Sequence, residues 1–159
     1  ELTCNLADNN CVTRSKSFHQ VLDQYPDMVS VARQDAKGPL IDGKRIMDSI
    51  LQAHPDVKGV ICGNGPVALG AIAALKAAGR DDVVVVGIDG SNDERDAVKA
   101  GTLKATVMLQ AQGIAAQGVT DLDNYLQKGT KPAKQRVMFR GILMTQENAA
   151  KVQDFNIKS

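Results

Sequence analysis

The chain has 159 residues, of which 43% are hydrophobic and 23% charged, enough for one domain with a core but short for two full domains. Its formal net charge of +1 gives no general attraction to nucleic acid or anionic lipid, and 3% aromatic residues without Trp offer no platform for stacking bases. Without such a general attraction, any partner is expected to bind at a local site. No apolar stretch approaches the roughly 18 residues needed to span a bilayer.

Short β-branched runs alternate along the chain with helical stripes, the pattern typical of an α/β fold with an open parallel sheet flanked by helices. The run at 83–88 contains four consecutive valines and predicts a central strand. Pro and Gly end most of the helical stripes. In chain order, the predicted elements are a strand stub at 1–4, a helix at about 10–24, a strand at 28–33, a helix around 46–51, a strand at 57–62, a helix at 64–79, the strand at 83–88, a helix at about 93–100, a strand at about 104–108, a helix ending before Gly129, a basic loop at 128–136 and a strand around 137–139.

The three cysteines, Cys4, Cys11 and Cys62, form no CxxC pair, and with His19 and His54 they give no zinc-ligand spacing. We therefore expect no metal ion. Cys4 and Cys11 allow a small loop disulfide in an oxidising compartment, although two separate thiols fit the spacing equally well. Both histidines are interpreted as structural. Because the motifs of serine hydrolases, P-loop enzymes and zinc proteases are absent, no catalytic residue is predicted.

Open parallel sheets bind ligands beyond the carboxyl ends of their strands, where loops and helix N-termini meet. Asp89 follows the central strand between Gly87 and Gly90, where a carboxylate can accept hydrogen bonds from hydroxyl groups. Asn64 begins a helix and can both donate and accept, and Arg14 lies near the start of its own helix. Each residue also has a simpler interpretation: Asp89 and Asn64 as local caps, and Arg14 as a surface side chain.

An enzymatic alternative comes from the stretch 63–68, GNGPVA, which fits the GxGxx[GA] pattern after a strand. Asp89 ends the next strand about twenty residues later, as a dinucleotide site for NAD or a relative would need, with Gly63 and Gly65 beside the phosphates. However, two βα units precede this motif, and Pro66 removes an amide that would face the pyrophosphate. The main interpretation is therefore a protein that is not an enzyme and uses no cofactor.

Several motifs occur in an order that chance does not readily give. They are Ala53-His54-Pro55-Asp56-Val57, Asn64 with Ala68-Leu69-Gly70-Ala71, the strand DVVVVGIDG at 82–90, and Ala100-Gly101-x-Leu-x-Ala-Thr-Val. Over essentially the whole chain, this order resembles the periplasmic sugar-binding proteins of the ribose-binding type. Members of that family have two similar α/β lobes that close over a sugar. The resemblance implies a periplasmic binding protein type I lobe, the second half of such a protein, with the first lobe largely missing.

The resemblance also implies domain boundaries, because the chain of a family member crosses between its lobes. Residues 1–109 correspond to the C-terminal lobe, 110–138 to a segment of the N-terminal lobe, and 139–159 to the return into the C-terminal lobe. The remainder of its own chain is therefore an expected partner. The first residues already resemble the end of a strand, so the start is expected to be cut or processed.

The resemblance assigns ligand contacts to residues already singled out. Arg14 aligns with the arginine that forks onto ring hydroxyls, and Asn64 and Asp89 align with the amide and carboxylate that hold the sugar. The family's hinge glutamine falls at Leu109, with Gln110 beside it, which makes Gln110 the fourth candidate.

The implied function is that of a solute-binding receptor of a bacterial ABC sugar importer, which binds a monosaccharide or polyol and delivers it to a membrane permease from the periplasm. In that oxidising compartment Cys4 and Cys11 are predicted to be bridged, with Cys62 free. The same lobes form the effector domain of lactose-repressor-like transcription factors, but those usually continue as Asp-Asp where this chain has Asp89-Gly90. Nucleic-acid binding is therefore not expected.

Overall fold

The computed structural model describes residues 1–157, in which helices and short strands alternate. The helices are α1 (Asn9–Leu22), α2 (Leu40–Ala53), α3 (Gly65–Ala77), α4 (Asn92–Ala100) and α5 (Ala111–Lys128). The strands are β1 (Leu2–Thr3), β2 (Gln34–Asp35), β3 (Gly59–Ile61), β4 (Val84–Asp89), β5 (Ala105–Met108), β6 (Ile142–Met144), β7 (Val152–Gln153) and β8 (Asn156–Ile157). A 3-10 turn at Ala149–Lys151 precedes the hairpin of β7 and β8.

The main sheet has the order β3-β4-β5-β6, with β3, β4 and β5 parallel and β6 antiparallel to β5. β4 is paired on both sides, as its valines predict. β1 pairs in parallel with β2, and a bridge between Leu2 and Cys62 places β1 beside the end of β3. The carboxyl ends of the parallel strands therefore lie along a common edge.

Helices α2 and α3 pack closely because glycines stand where they meet. A Cβ added to Gly70 would overlap the carbonyl oxygen of Leu40, and one on Gly43 would lie 2.6 Å from the carbonyl oxygen of Val67. Around this contact the core is built from aliphatic side chains and Met, as the low aromatic content requires. This packing fixes α3, whose N-terminus faces the carboxyl edge of the sheet.

The strand predicted at 28–33 is wrong. That segment has no regular structure, and its larger apolar side chains are exposed. The parallel ladder beside β1 begins at Ala32, whose carbonyl oxygen accepts from the Glu1 amino group at 2.7 Å. It continues where Gln34 N–H donates to the carbonyl oxygen of Glu1. Residues 28–31 therefore have no described strand beside them, and β-branched residues form a strand only where a partner accepts their hydrogen bonds.

The strand predicted around 137–139 is also wrong in position. Val137 and Met138 are exposed, whereas β6 forms five residues later and pairs with β5. The register places Met144 opposite Thr106, and the Met144 side chain is fully buried. Burial of this residue, rather than β propensity, decides where the strand forms.

The apolar stripes predicted on α1 and α5 stay largely uncovered in the described structure. Val21 on α1 and Tyr25 just beyond it are exposed, and α5 buries none of its side chains. The exposed large apolar residues of α5 are Ile114, Val119, Leu122, Tyr125 and Leu126. Within residues 1–157, no helix combines the length and the apolarity that crossing a bilayer requires.

Candidate ligand-binding site

Three of the four residues singled out from the sequence meet at the carboxyl edge of the sheet. Arg14 lies in the second turn of α1, Asn64 is the N-cap of α3, and Asp89 is the last residue of β4. Because α1 follows β1 and α3 follows β3, parallel strands bring both helix starts to the end of β4. The cluster is thus a product of the strand order.

An ion pair between Arg14 and Asp89 lies at the centre of this cluster. Arg14 Nη1 is 3.0 Å from Asp89 Oδ1, and it donates to the carbonyl oxygen of Gly63 at 2.7 Å. The two side chains are 21% and 28% exposed, so the pair is partly desolvated and still reachable. Among residues 1–157 both protein contacts of the guanidinium use Nη1, which leaves Nε and Nη2 as donors for a ligand. Arg14 is therefore not a free surface side chain.

The second oxygen of Asp89 serves as an acceptor for the neighbouring helix. Asp89 Oδ2 accepts a hydrogen bond from the backbone N–H of Gly65, at the first residue of α3, at 3.2 Å. A carboxylate at a helix N-terminus is stabilised by the helix dipole. The helix that follows Asp89 is capped by Ser91 instead. The simpler interpretation, that Asp89 is a local cap, is therefore wrong.

The backbone at the end of β4 is unusual. Asp89 has a φ of 125° and Gly90 a φ of 75°, and such a conformation costs a residue other than glycine about 1–3 kcal/mol. Gly90 is required by packing as well, because an added Cβ would overlap Met108. The carbonyl oxygen of Asp89 accepts from Leu109 N–H at 3.0 Å, which holds the turn. Strained residues of this kind concentrate at functional sites.

Asn64 combines a capping role with a contact across the site. Its Oδ1 accepts from Val67 N–H at 3.0 Å, so the capping interpretation holds. Its Nδ2 donates to the carbonyl oxygen of Gly38 at 3.1 Å, which ties the loop after β2 to α3. The remaining Nδ2 hydrogen and the Asp89 oxygens present both donor and acceptor capacity at one edge.

A disulfide between Cys4 and Cys11 closes the loop that leads into α1, with the two Cα atoms 5.4 Å apart. Gly63 packs against this loop, because a Cβ there would lie 2.5 Å from the backbone nitrogen of Cys4. The same glycine accepts the hydrogen bond of Arg14, so disulfide, glycine and arginine form one unit. Cys62 is free and buried, and burial raises the pKa of its thiol to about 12.

Gln110, the fourth candidate, contacts a different part of the molecule. Its Nε2 donates to the carbonyl oxygen of Arg140 at 2.9 Å. The bond links the segment that leaves β5 to the segment that enters β6. The structure does not bring Gln110 into the cluster of Arg14, Asn64 and Asp89.

Sequence reasoning missed Glu94, whose side chain is fully buried next to the cluster. Glu94 Oε2 accepts from Ser91 N–H at 2.9 Å, and Oε1 accepts from the Thr106 hydroxyl at 2.6 Å. Burial raises the pKa of this carboxyl group above its ordinary value. The Ser91-x-x-Glu94 spacing is a capping-box pattern and was the available signal. The spacing gives no indication that the carboxylate is buried.

The geometry disfavours a pyrophosphate at the glycine-rich stretch. The Gly65 amide is already bound by Asp89, and the space beside Gly65 is filled by the Glu94 carboxylate. An anionic cofactor would have to lie next to two carboxyl groups, at a helix start where Pro66 supplies no N–H. Over residues 1–157, no group of three or more His, Cys, Asp or Glu side chains is arranged to hold a metal ion.

Several known proteins have sequences similar to this one. A family model described as "Periplasmic binding protein domain" matches residues 2–131. The chain is 45% identical over 158 residues to the D-apiose import binding protein of Paraburkholderia graminis, covering 99% of this chain and 51% of the relative. It is 42% identical over 118 residues to the ribose import binding protein of Escherichia coli, covering 74% of this chain and 39% of the relative.

Among solved structures, a similar fold occurs in an ABC transporter solute-binding protein from Bacillus halodurans with bound myo-inositol. The TM-score is 0.85 and the sequence identity 29%, with 94% of this chain and 51% of that chain covered. The chain therefore spans about half the length, or less, of the relatives it matches.

Proposed function

We propose, from the premise that this chain belongs to the periplasmic binding protein family, that it is one half of the solute receptor of a bacterial ABC sugar importer. The receptor binds a monosaccharide or polyol in a cleft between two lobes, and this chain supplies one wall of that cleft. Binding involves no chemical conversion of the ligand. The names of the relatives, which refer to import of D-apiose and ribose, support a sugar as ligand.

The observation that carries this proposal is the Arg14–Asp89 pair beside Asn64. Neighbouring hydroxyl groups of a sugar each donate and accept hydrogen bonds. The Asp89 carboxylate accepts, the free N–H groups of Arg14 donate in a fork, and Asn64 retains an amide hydrogen. Hydrogen bonds to charged groups are the stronger kind, about 1.5–3 kcal/mol each. Partial burial of the ion pair favours such contacts over water.

The missing half of the cleft is assigned to the rest of the chain. Residues 1–109 form the C-terminal lobe, 110–138 belong to the N-terminal lobe, and 139–159 return to the C-terminal lobe, with 158 and 159 outside the described residues. Two contacts support this division: β6 pairs with β5 after the excursion, and Gln110 binds the carbonyl oxygen of Arg140 where the outgoing and returning segments pass each other. In this assignment Gln110 is a hinge residue next to the cleft rather than a member of the Arg14 cluster.

Periplasmic location and a membrane permease as partner complete the proposal. The Cys4–Cys11 disulfide supports an oxidising compartment, because such bonds are rare in the cytosol. The same bond argues against the alternative of a lactose-repressor-like transcription factor, which works in a reducing compartment.

A thermal-shift screen of the complete receptor tests this function. We expect D-apiose, D-ribose or myo-inositol to raise the melting temperature, because a ligand that binds only the folded state stabilises it by RT ln(1 + [L]/Kd). NAD at the same concentration should leave the melting temperature unchanged. Stabilisation by NAD, with no response to a broad panel of sugars and polyols, would support the dinucleotide alternative instead.

A further inference from the structure

Glu94 is the buried acidic side chain that the proposed ligand contacts leave unexplained. It lies on the first turn of α4, and both carboxylate oxygens are bound, one by Ser91 N–H and one by the Thr106 hydroxyl. A capping box alone requires only the contact with the N-cap residue, and a solvent-exposed Glu can make it. Glu94 is in addition fully buried and hydrogen-bonded to Thr106 on strand β5, and burying a carboxylate costs free energy. Helix capping alone does not account for these two features.

The backbone around Glu94 is shaped to accept it. A Cβ added to Gly65 would lie 2.5 Å from Glu94 Cδ, and the three atoms nearest to that Cβ all belong to Glu94. A Cβ added to Gly87, on β4, would lie 3.1 Å from Ala68 Cβ and 3.3 Å from Glu94 Oε1. The carboxylate thus occupies the space that two missing side chains leave, between the start of α3 and the end of β4.

Both backbone segments that flank Glu94 determine where the Asp89 carboxylate lies. Ser91 follows Asp89 by two residues, so the bond from Ser91 N–H to Glu94 restrains the turn in which Asp89 has its positive φ. Gly65, packed on the other side of Glu94, donates its N–H to Asp89 Oδ2. Thr106 anchors Glu94 to β5, the strand paired with β4.

We propose that Glu94 is a positioning residue of the ligand site, which holds the Asp89 turn and the first amide of α3 at the separation that sugar binding needs. This role rests on the proposed function, because Asp89 is the ligand-binding carboxylate. Glu94 itself makes no contact with the ligand.

The complete receptor carrying Glu94→Ala tests this role, with two matched variants. Glu94→Gln keeps the shape, with its oxygen accepting from Ser91 N–H and its amide donating to Thr106. Val98→Ala shortens a fully buried side chain one turn further along α4 and serves as a control for general destabilisation. Sugar affinity is measured by calorimetry, and exchange of the Gly65 amide by NMR without ligand.

We expect Glu94→Ala to weaken sugar binding at least tenfold and to accelerate exchange of the Gly65 amide, which is bonded to Asp89 and not to Glu94. Glu94→Gln should bind within about threefold of the wild type, which is roughly 0.6 kcal/mol. Val98→Ala should lower the melting temperature and leave affinity and Gly65 exchange unchanged. The proposal is overturned if Glu94→Ala lowers stability alone, or if Val98→Ala weakens binding equally.

Gly65→Ala provides an independent arm through the packing between the two residues. Alone, the new methyl group displaces the Glu94 carboxylate and should weaken binding. Combined with Glu94→Ala, the overlap disappears, so the double variant should lose much less affinity than the product of the two single losses. A double variant whose affinity loss equals the product of the two single losses would contradict the proposal. If the complete wild type binds no sugar or polyol, the proposed function fails, and exchange of the Gly65 amide in Glu94→Ala still decides the positioning role.

Discussion

At the scale of single residues, Asp89 links a backbone cost to a proposed binding role. Its φ of 125° is unfavourable for a residue other than glycine. Three contacts stabilise Asp89 in this conformation: Arg14 and Gly65 N–H bind its carboxylate, and Leu109 N–H donates to its carbonyl oxygen. Glycine would adopt this conformation at less cost but would supply no carboxylate. The structure therefore keeps a strained residue where the proposed site requires a charge.

Asp89→Ala tests this interpretation in the complete receptor. Loss of the carboxylate leaves several ligand hydroxyl groups unpaired. Calorimetry should therefore show sugar binding weakened by at least about 2–3 kcal/mol. Asp81→Ala is the control, because it removes an exposed carboxylate that precedes the N-terminal end of β4, away from the site. This variant should have the sugar affinity of the wild type. An unchanged affinity of Asp89→Ala would remove this residue from the site.

The buried Glu94 carboxyl group predicts a pH dependence of stability. Burial raises its pKa in the folded state above the ordinary value of 4.5, so the folded protein holds this proton more tightly than the unfolded chain. The stability that protonation contributes is present below the unfolded pKa and is lost as pH rises through the folded pKa. Glu94→Gln has no such proton. Its free energy of unfolding relative to the wild type should therefore increase from about pH 4 to about pH 7 in urea titrations. A difference that stays constant with pH would contradict this expectation.

At the scale of elements, the first turns of α1 depend on the Cys4–Cys11 disulfide. Asp8 caps the helix within the closed loop, and Arg14 follows the bonded Cys11 by three residues. A short covalent loop restricts the unfolded chain and keeps this helix start against Gly63. Loss of the bond should therefore disturb the position of Arg14 more than the core between α2 and α3.

Alkylation of denatured protein without reductant checks the disulfide. Mass analysis should show one modified cysteine, Cys62, and prior reduction should give three. Reduction should also lower the free energy of unfolding by about 2 kcal/mol, the lower part of the usual range, because the loop is short. Three modified cysteines without reductant would contradict the bond.

At the scale of the whole molecule, α5 has an apolar face that the described residues do not bury. Ile114, Val119, Leu122, Tyr125 and Leu126 are 49–70% exposed. Covering each such side chain stabilises a protein by about 1.5–3 kcal/mol at full burial. The proposed division into lobes assigns this face to the part of the chain that would form the N-terminal lobe.

Hydrogen exchange measured by mass spectrometry tests that assignment. In the complete receptor the α5 amides should be strongly protected. In the isolated 159-residue chain the α5 amides should exchange much faster than the α3 amides. Helix α3 serves as the internal control because it packs against α2 within this chain. Size-exclusion chromatography of the isolated chain accompanies the measurement, since a dimer that exchanges this segment would also protect α5. A monomeric chain with α5 as protected as α3 would contradict the assignment.

The sequence by itself determined the helices, the central strand and the three candidate site residues. Helical stripes, Gly and Pro signals and the valine run are local, so they act before any tertiary contact forms. The positions of Arg14, Asn64 and Asp89 near helix starts and strand ends made them candidates, and the family motifs selected them over the simpler interpretations. The family motifs added the expectation of two lobes.

Only the tertiary structure decided the strands at 34–35 and 142–144, and the buried position of Glu94. A strand exists where a partner accepts its hydrogen bonds, and 28–31 and 137–139 have strong β propensity without such a partner among residues 1–157. Glu94 has the sequence signature of an ordinary helix cap, and its burial depends on two distant glycines and on Thr106. The physical reason is common to both cases: pairing and burial depend on residues far away in the sequence, and no local pattern records them.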